Sequence, residues 1–230
     1  MIHDGHFHPN TAPVPLFENA GSVRMSGDIG YDHLSDLQVA ISPIEHIGLI
    51  GSGSWASGEN FHRYFEGGFG YYFSPFTLKN DSIKTEAFVG YGSGTANGVL
   101  TNANNIIFWP EVTDRKIYAN YCQYYIQFNW AVCDKIPISR DIQSTEIMID
   151  YGTIIRISRT KFSNFKKDGQ VLNLTPMEGS FIQMAAFCTV GIKGVGVTGQ
   201  TGILYGLSNQ DSSPTYAPFY ITIGLNIRLW

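Results

Sequence analysis

The chain has little charge and no long apolar run. Charged residues make up 15% of its 230 residues, well below the roughly 25% of an ordinary soluble domain. No stretch approaches the roughly 18 apolar residues that a transmembrane helix requires. No apolar period of 3.6 residues persists either, so a helical fold is not expected. Residues 1–10 lack a basic segment followed by an apolar core, so we predict no secretory signal peptide there.

A basic cluster and an even number of cysteines are also missing. The net charge of −4 comes without a basic block, which argues against nucleic acid as a partner. The three cysteines, Cys122, Cys133 and Cys188, cannot all pair within one chain. Cys122 and Cys133 fall on opposite faces of one predicted strand, so they should not bridge each other. A bridge from Cys122 to Cys188 stays open from the sequence alone, and the simpler interpretation is three small apolar wall residues.

The sequence does contain a persistent period of two. In residues 219–230, apolar side chains alternate with a set that includes Asn226 and Arg228. The longest such pattern covers residues 117–132, where one face is apolar throughout. Ten segments of this kind predict an all-β fold, an antiparallel up-and-down transmembrane barrel of about ten strands. We assign residues 20–230 to this single domain and residues 1–19 to an extended N-terminal arm.

The predicted connections alternate in length. Residues 92–116, 161–179 and 207–218 are long, whereas residues 133–145 and 191–194 are shorter. Long and short connections therefore fall at opposite ends of the barrel. Outer-membrane barrels have short periplasmic turns and longer extracellular loops, so this pattern predicts the bacterial outer membrane.

With the apolar faces turned outward, the polar faces line a lumen near charge balance. Such a lumen satisfies its own charges by pairing, and ten strands enclose little space, so we predict a plugged or very narrow barrel. The predicted lumen network consists of Arg24, Asp28, Glu66, Lys84, Glu86, Gln123, Gln127, Asp150, Arg156, Asn226 and Arg228.

A soluble barrel that binds a small ligand is the main alternative fold. Apolar and polar side chains would also alternate along its strands, but the apolar face would point inward. Aromatic residues such as Trp55, Tyr91, Trp130 and Phe219 fall near the predicted strand ends, as the interfacial girdles of a membrane barrel do. This distribution favours lipid on the outside.

Several segments resemble small outer-membrane β-barrel proteins of Bacteroidota type, some of which are lipid-anchored. The similarity rests on residues 10–17 (NTAPVPLF), 36–43 (DLQVAISP), 46–49 (HIGL), 65–72 (FEGGFGYY) and 86–92 (EAFVGYG). It implies location and architecture but no settled activity, with an N-terminal lipid in some members. The chain differs from the family in lacking a lipobox cysteine and in the parity of Trp230, which matches Arg228 rather than Leu229.

The long connections hold the predicted interaction residues. Phe108 and Trp109 are too apolar to extend freely into water, and Phe162 and Phe165 lie among lysines, a mixture that suits anionic headgroups or glycans. The expected partners are outer-membrane lipid and another outer-membrane protein. No cofactor is expected.

Histidines offer weaker candidates for a site. His3, His6 and His8 crowd the N-terminus, but their spacing fits no closed metal site. His33 or His62, near predicted extracellular loops, could serve a barrel hydrolase or acyltransferase if a nucleophile converged on either. We predict no catalytic residue. The leading hypothesis is a non-enzymatic accessory protein that acts through its outer loops, and the alternative is a narrow channel or small-solute-binding barrel.

Overall fold

The computed structural model describes residues 11–30, 35–56, 62–78, 81–98, 117–137, 146–167, 170–171, 177–192, 194–207 and 219–229. Within these ranges the regular secondary structure is β-strand, and residues 11–18 are irregular. No helix in the same ranges is long and apolar enough to cross a membrane.

Eleven strands make up the described chain. Ten are long, and the two-residue β8 lies between β7 and β9. Their bounds are β1 Val23–Gly30, β2 Ser35–Ile44, β3 Ile47–Ala56, β4 His62–Leu78, β5 Asp81–Gly98, β6 Ile117–Pro137, β7 Glu146–Lys167, β8 Gln170–Val171, β9 Met177–Ile192, β10 Val195–Gly206 and β11 Phe219–Leu229.

The ten long strands form one closed antiparallel sheet. Each pairs with its neighbours in chain order, and β7 pairs with both β6 and β9. The sheet closes where β1 pairs with β11, in a register that sets Arg24 opposite Arg228. Because closure removes both sheet edges, every long strand has a partner on each side. The predicted antiparallel up-and-down barrel of about ten strands is confirmed.

The two ends of the barrel differ in the length of their connections. At the turn end, residues 45–46, 79–80, 138–145 and 193–194 join the strands, and the wall begins and ends there at Val23 and Leu229. At the opposite, loop end, the connections are residues 31–34, 57–61, 99–116, 168–176 and 207–218. This asymmetry matches the short periplasmic turns and longer extracellular loops of outer-membrane barrels.

The wall is polar inside and apolar outside. Along β11, Leu225 is 62% exposed whereas its neighbour Asn226 is 8% exposed. Along β6, Tyr124 is 62% exposed and Gln123 is 7% exposed. A soluble barrel would show the reverse arrangement, so the soluble alternative is excluded. A closed antiparallel barrel with an apolar outer surface is the architecture of proteins that span the bacterial outer membrane.

Exposed aromatic side chains form two rings on this outer surface. The ring at the turn end includes Tyr71, Phe73, Trp130 and Tyr151. The ring at the loop end includes Trp55, Phe65, Tyr91, Tyr124, Tyr205 and Phe219. Aromatic side chains prefer the headgroup level of a bilayer, so these two circles of residues mark the edges of the membrane.

Two of the predicted loops start at residues that belong to strands in the structure. Strand β5 continues to Gly98 and β7 to Lys167, so Phe162 and Phe165 belong to the wall and not to a loop. Phe162 is buried and lies 5.6 Å, centroid to centroid, from the ring of Tyr121. The glycines of residues 92–98 suggested a loop, but a Cβ on Gly92 would come within 2.1 Å of the Tyr64 hydroxyl oxygen, so glycine is needed there for packing.

Replacing Leu225 with arginine should distinguish a lipid-facing wall from a water-facing one. Leu225 lies near the middle of β11 and points outward. An arginine near the bilayer midplane should lower the free energy of unfolding by about 2–4 kcal/mol, as measured by urea unfolding in lipid vesicles. Leu225→Ala is the matched control, and an arginine variant no less stable than the alanine variant would contradict the assignment.

Candidate functional site

The lumen contains most of the buried polar side chains of the barrel. All eleven residues of the predicted lumen network lie inside, each 8% exposed or less. Such buried charges are stable only when they are paired or hydrogen-bonded. The arrangement of their partners therefore determines what the lumen can hold or pass.

The central contact is an ion pair between β4 and β7. Arg156 donates from both terminal nitrogens to Glu66, with two distances of 3.0 Å, and its Nε donates to Gln127 at 2.9 Å. The guanidinium also lies 4.2 Å from the centre of the Tyr125 ring. This bidentate geometry joins strands on different sides of the lumen and satisfies a fully buried charge.

Glu66 also leads into a chain of neutral hydrogen bonds. Ser52 and Tyr64 each donate to its carboxylate at 3.0 Å. Oε1 of Gln123 lies 2.9 Å from the Tyr64 hydroxyl oxygen, whose one proton is shared between Glu66 and Gln123, and Gln123 donates at 2.9 Å to Ser158. The network thus crosses from β3 to β7 and keeps the loop-end half of the lumen rigid.

A second set of charges lies toward the turn end. Arg228 pairs with Asp150, and Lys84 donates to Glu18 at 2.7 Å. Arg24 donates to the carbonyl oxygen of Leu16. Two of these contacts therefore involve the N-terminal arm as well as the wall.

Residues 11–18 of the arm lie inside the lumen. They have no regular secondary structure, and their backbone is held by side chains of the wall. Asp36 accepts from the backbone N–H of Thr11, and Glu86 accepts from that of Phe17, both at 2.9 Å. Further donors reach the arm's carbonyl oxygens: Gln38 to Thr11, Gln127 and Asn129 to Pro13, and Lys84 to Leu16.

The arm also fills two apolar patches of the inner wall. Phe17 is 1% exposed and packs among Ala40, Ile50, Tyr72 and Phe88. Leu16 and Ala12 pack in a second patch, whose wall residues are Ala131, Cys133, Ile154, Ala185 and Phe187. Because Asp36 lies near the loop end of β2 and Lys84 near the turn end of β5, the docked segment runs along the lumen from one end toward the other.

Sequence reasoning did not place the arm in the lumen, although a signal was present. Phe88 shares the parity of Lys84 and Glu86, and Ile154 shares that of Arg156. An apolar side chain on a water-filled lumen would be unfavourably hydrated, so its occurrence among polar neighbours indicates that something covers it. Pro13 and Pro15 carry no N–H group, which reduces the hydrogen bonds that the lumen must supply.

The other candidate residues contribute less to this site. His62 is 1% exposed, 3.4 Å from the Tyr121 hydroxyl oxygen, and packs beside Tyr64 and Tyr121. In the described ranges, no three His, Cys, Asp or Glu side chains group as a metal site. The three cysteines are free, and Cys122 and Cys133 point to opposite faces. Outside the described residues lie His3, His6, His8, His33, Phe108, Trp109 and Trp230.

The Glu18–Lys84 contact should make arm docking depend on pH. Burial acts to raise the pKa of Glu18, but Lys84, with smaller contributions from Arg24 and Lys135, outweighs it and holds that pKa below the ordinary value of 4.5. A lowered pKa stabilises the folded state above pH 4.5, and this gain is lost as the pH falls through the folded-state pKa. We therefore expect Glu18→Gln to be less stable than the unmodified chain at pH 7, with a smaller difference at pH 3, by urea unfolding. An unchanged difference at both values would contradict this.

Comparisons with known proteins yield a likeness in architecture only. No protein-family model matches the chain, and no curated protein matches it. A solved KdgM porin in complex with disordered oligogalacturonate is 13% identical with a TM-score of 0.34, covering 90% of this chain and 98% of that one. A second KdgM porin structure is 12% identical with the same score and coverage. At such scores the likeness supports no argument about solutes, and the Bacteroidota-type resemblance and a protein partner stay predictions.

Proposed function

We propose that the protein is a narrow outer-membrane channel for small polar solutes, closed in this conformation by residues 11–18. The observation that carries the proposal is a polar lumen occupied by a segment of the chain itself. Eight-stranded barrels are just filled by wall side chains. Ten strands leave room for one extended segment, so a lumen without the arm has a passage about as wide as one polypeptide chain.

The way in which the arm is held supports a removable plug. Its contacts are side-chain hydrogen bonds, one ion pair and apolar packing, with no strand pairing to the wall. Leu16 adopts a φ of 47°, a left-handed conformation that is unfavourable for a leucine. Docking therefore carries a conformational cost of about 1–3 kcal/mol, which release would return.

Planar-bilayer conductance tests the proposal. We expect the full chain to be closed for most of the recording, and a variant lacking residues 1–18 to conduct steadily. Liposomes that contain the shortened variant should also swell faster in solutions of small sugars than liposomes that contain the full chain. Both proteins must first show the heat-dependent gel mobility and the β circular dichroism of a folded barrel.

A folded variant without the arm that fails to conduct would reject the channel. The dense anchoring of the arm favours the second candidate in that case, a permanently closed barrel that serves as an accessory membrane protein. Leu16, Phe17 and Ala12 are each 1% exposed, as expected for a segment that belongs to a permanent core.

A further inference from the structure

Two lumen carboxylates face each other without a cation. Asp28 on β1 is the register partner of Asp36 on β2, and they are 5% and 4% exposed. Within the described ranges, Arg156, Arg228 and Lys84 pair with other carboxylates, and no lysine or arginine forms an ion pair with Asp28 or Asp36. Residues directly opposite on antiparallel strands have Cβ atoms about 4.5–5.5 Å apart, so the two carboxylates are close neighbours.

This pair is electrostatically incomplete. Two adjacent buried carboxylates cannot both stay ionised without a positive partner, because repulsion and desolvation add. Glu66 in the same lumen shows how the wall satisfies a buried acid, with a bidentate arginine and two hydroxyl donors. Asp28 receives only one hydroxyl, from Ser26 at 3.4 Å, whereas Asp36 receives the backbone N–H of Thr11 and has the Thr11 and Ser54 hydroxyls beside it.

Unpartnered oxygen atoms surround the pair. Oδ1 of Asp36 and the hydroxyls of Ser54 and Thr11 are buried and make no hydrogen bond of ordinary length and angle, and both hydroxyls lie beside the Asp36 carboxylate. Ser54 is the register partner of Asp36 on β3, and Thr11 already contacts Asp36 through its backbone. All three residues are 4% exposed or less. The atoms left over at this place are therefore all oxygens, and two carboxylates supply the charge.

The wall leaves space on the other side of the pair. Gly224 on β11 is the register partner of Asp28, and a Cβ on that glycine would come within 2.2 Å of Asp28 Oδ1. The glycine thus allows the Asp28 carboxylate to lie directly against the backbone of β11. A larger residue would push this carboxylate away from Asp36.

We propose that Asp28 and Asp36, completed by the hydroxyls of Ser54 and Thr11, bind a hard divalent cation such as Ca²⁺ at the loop end of the lumen. Hard cations select carboxylate and neutral oxygen ligands, whereas softer metals prefer imidazole and thiolate. Because Thr11 belongs to the arm, the ion would tie the arm to the wall. The site does not depend on whether the lumen conducts, so its failure would leave the channel proposal untouched.

The test is the stability of the full chain, folded in detergent without lipopolysaccharide, as CaCl₂ is added at pH 7 and constant ionic strength. We expect the urea midpoint to rise between about 0.1 and 1 mM, the range of weak extracellular calcium sites. Asp28→Asn should be more stable than the unmodified chain without calcium, because repulsion is relieved, and should lose the calcium response. Asp36→Asn should behave in the same way.

Glu146→Gln is the matched control, because Glu146 is exposed at the turn end and far from the pair. It should keep the full calcium response. An unmodified chain with no calcium response would overturn the site and would leave a shared proton as the means by which the pair is neutralised. A response that survives in both aspartate variants would place the calcium elsewhere and overturn it equally.

Discussion

Replacing Arg156 with methionine is expected to lower the free energy of unfolding by about 3–5 kcal/mol, because Glu66 would keep its charge in a buried place without its partner. Both side chains of the pair are almost fully buried, at 2% and 1% exposure. Methionine preserves much of the side-chain volume, so the loss would report charge more than cavity formation. Urea unfolding in lipid vesicles, followed by tryptophan fluorescence, measures the difference.

Two controls separate the buried pair from a general effect of charge removal. The double variant Arg156→Met with Glu66→Leu should regain part of the loss, since no unpaired charge remains. Arg159→Met removes an arginine from the same strand, where it pairs with Glu178 at 71% exposure of the arginine side chain, and should leave stability almost unchanged. An Arg156 variant as mild as the Arg159 variant would mean that the central pair contributes little.

Replacing Phe17 with alanine is expected to open the lumen. Phe17 is the largest apolar anchor of the arm, and truncating a buried phenylalanine costs about 3–5 kcal/mol. Since the undocked arm exposes Phe17 to water, most of this cost would fall on the docked state and shift the docking equilibrium by a factor of roughly one hundred or more. We therefore expect a steep rise in the open fraction in planar-bilayer recordings of the full-length variant.

Val14→Ala is the matched control for this variant. Val14 lies in the same arm but is only half-buried, so its truncation should change the open fraction far less. Equal conductance in the Phe17 variant and the unmodified chain, with both barrels folded, would show that Phe17 does not hold the plug. A small-to-large change at Gly48, whose Cβ would come within 2.4 Å of the Phe17 ring, offers an independent way to displace the same anchor.

Much of the wall could be predicted because its determinants are local. A period of two along residues 219–229 places Leu225 outside and Asn226 inside whatever their partners are. The strand ends were predicted less well. The glycines of residues 92–98 suggested a loop. Gly92 is instead required because the Tyr64 side chain packs directly against it, and Tyr64 belongs to the neighbouring strand β4.

The sequence by itself determined which side chains face lipid and which face the lumen, and which end of the barrel carries the long connections, because both follow from parity and spacing along one chain. The occupant of the lumen and the partner of each buried charge were decided only by the tertiary structure. Gln127 donates to the carbonyl oxygen of Pro13 across 114 residues of sequence, and Arg156 meets Glu66 across 90. Such contacts depend on the closure and register of ten strands at once, so no local pattern encodes them.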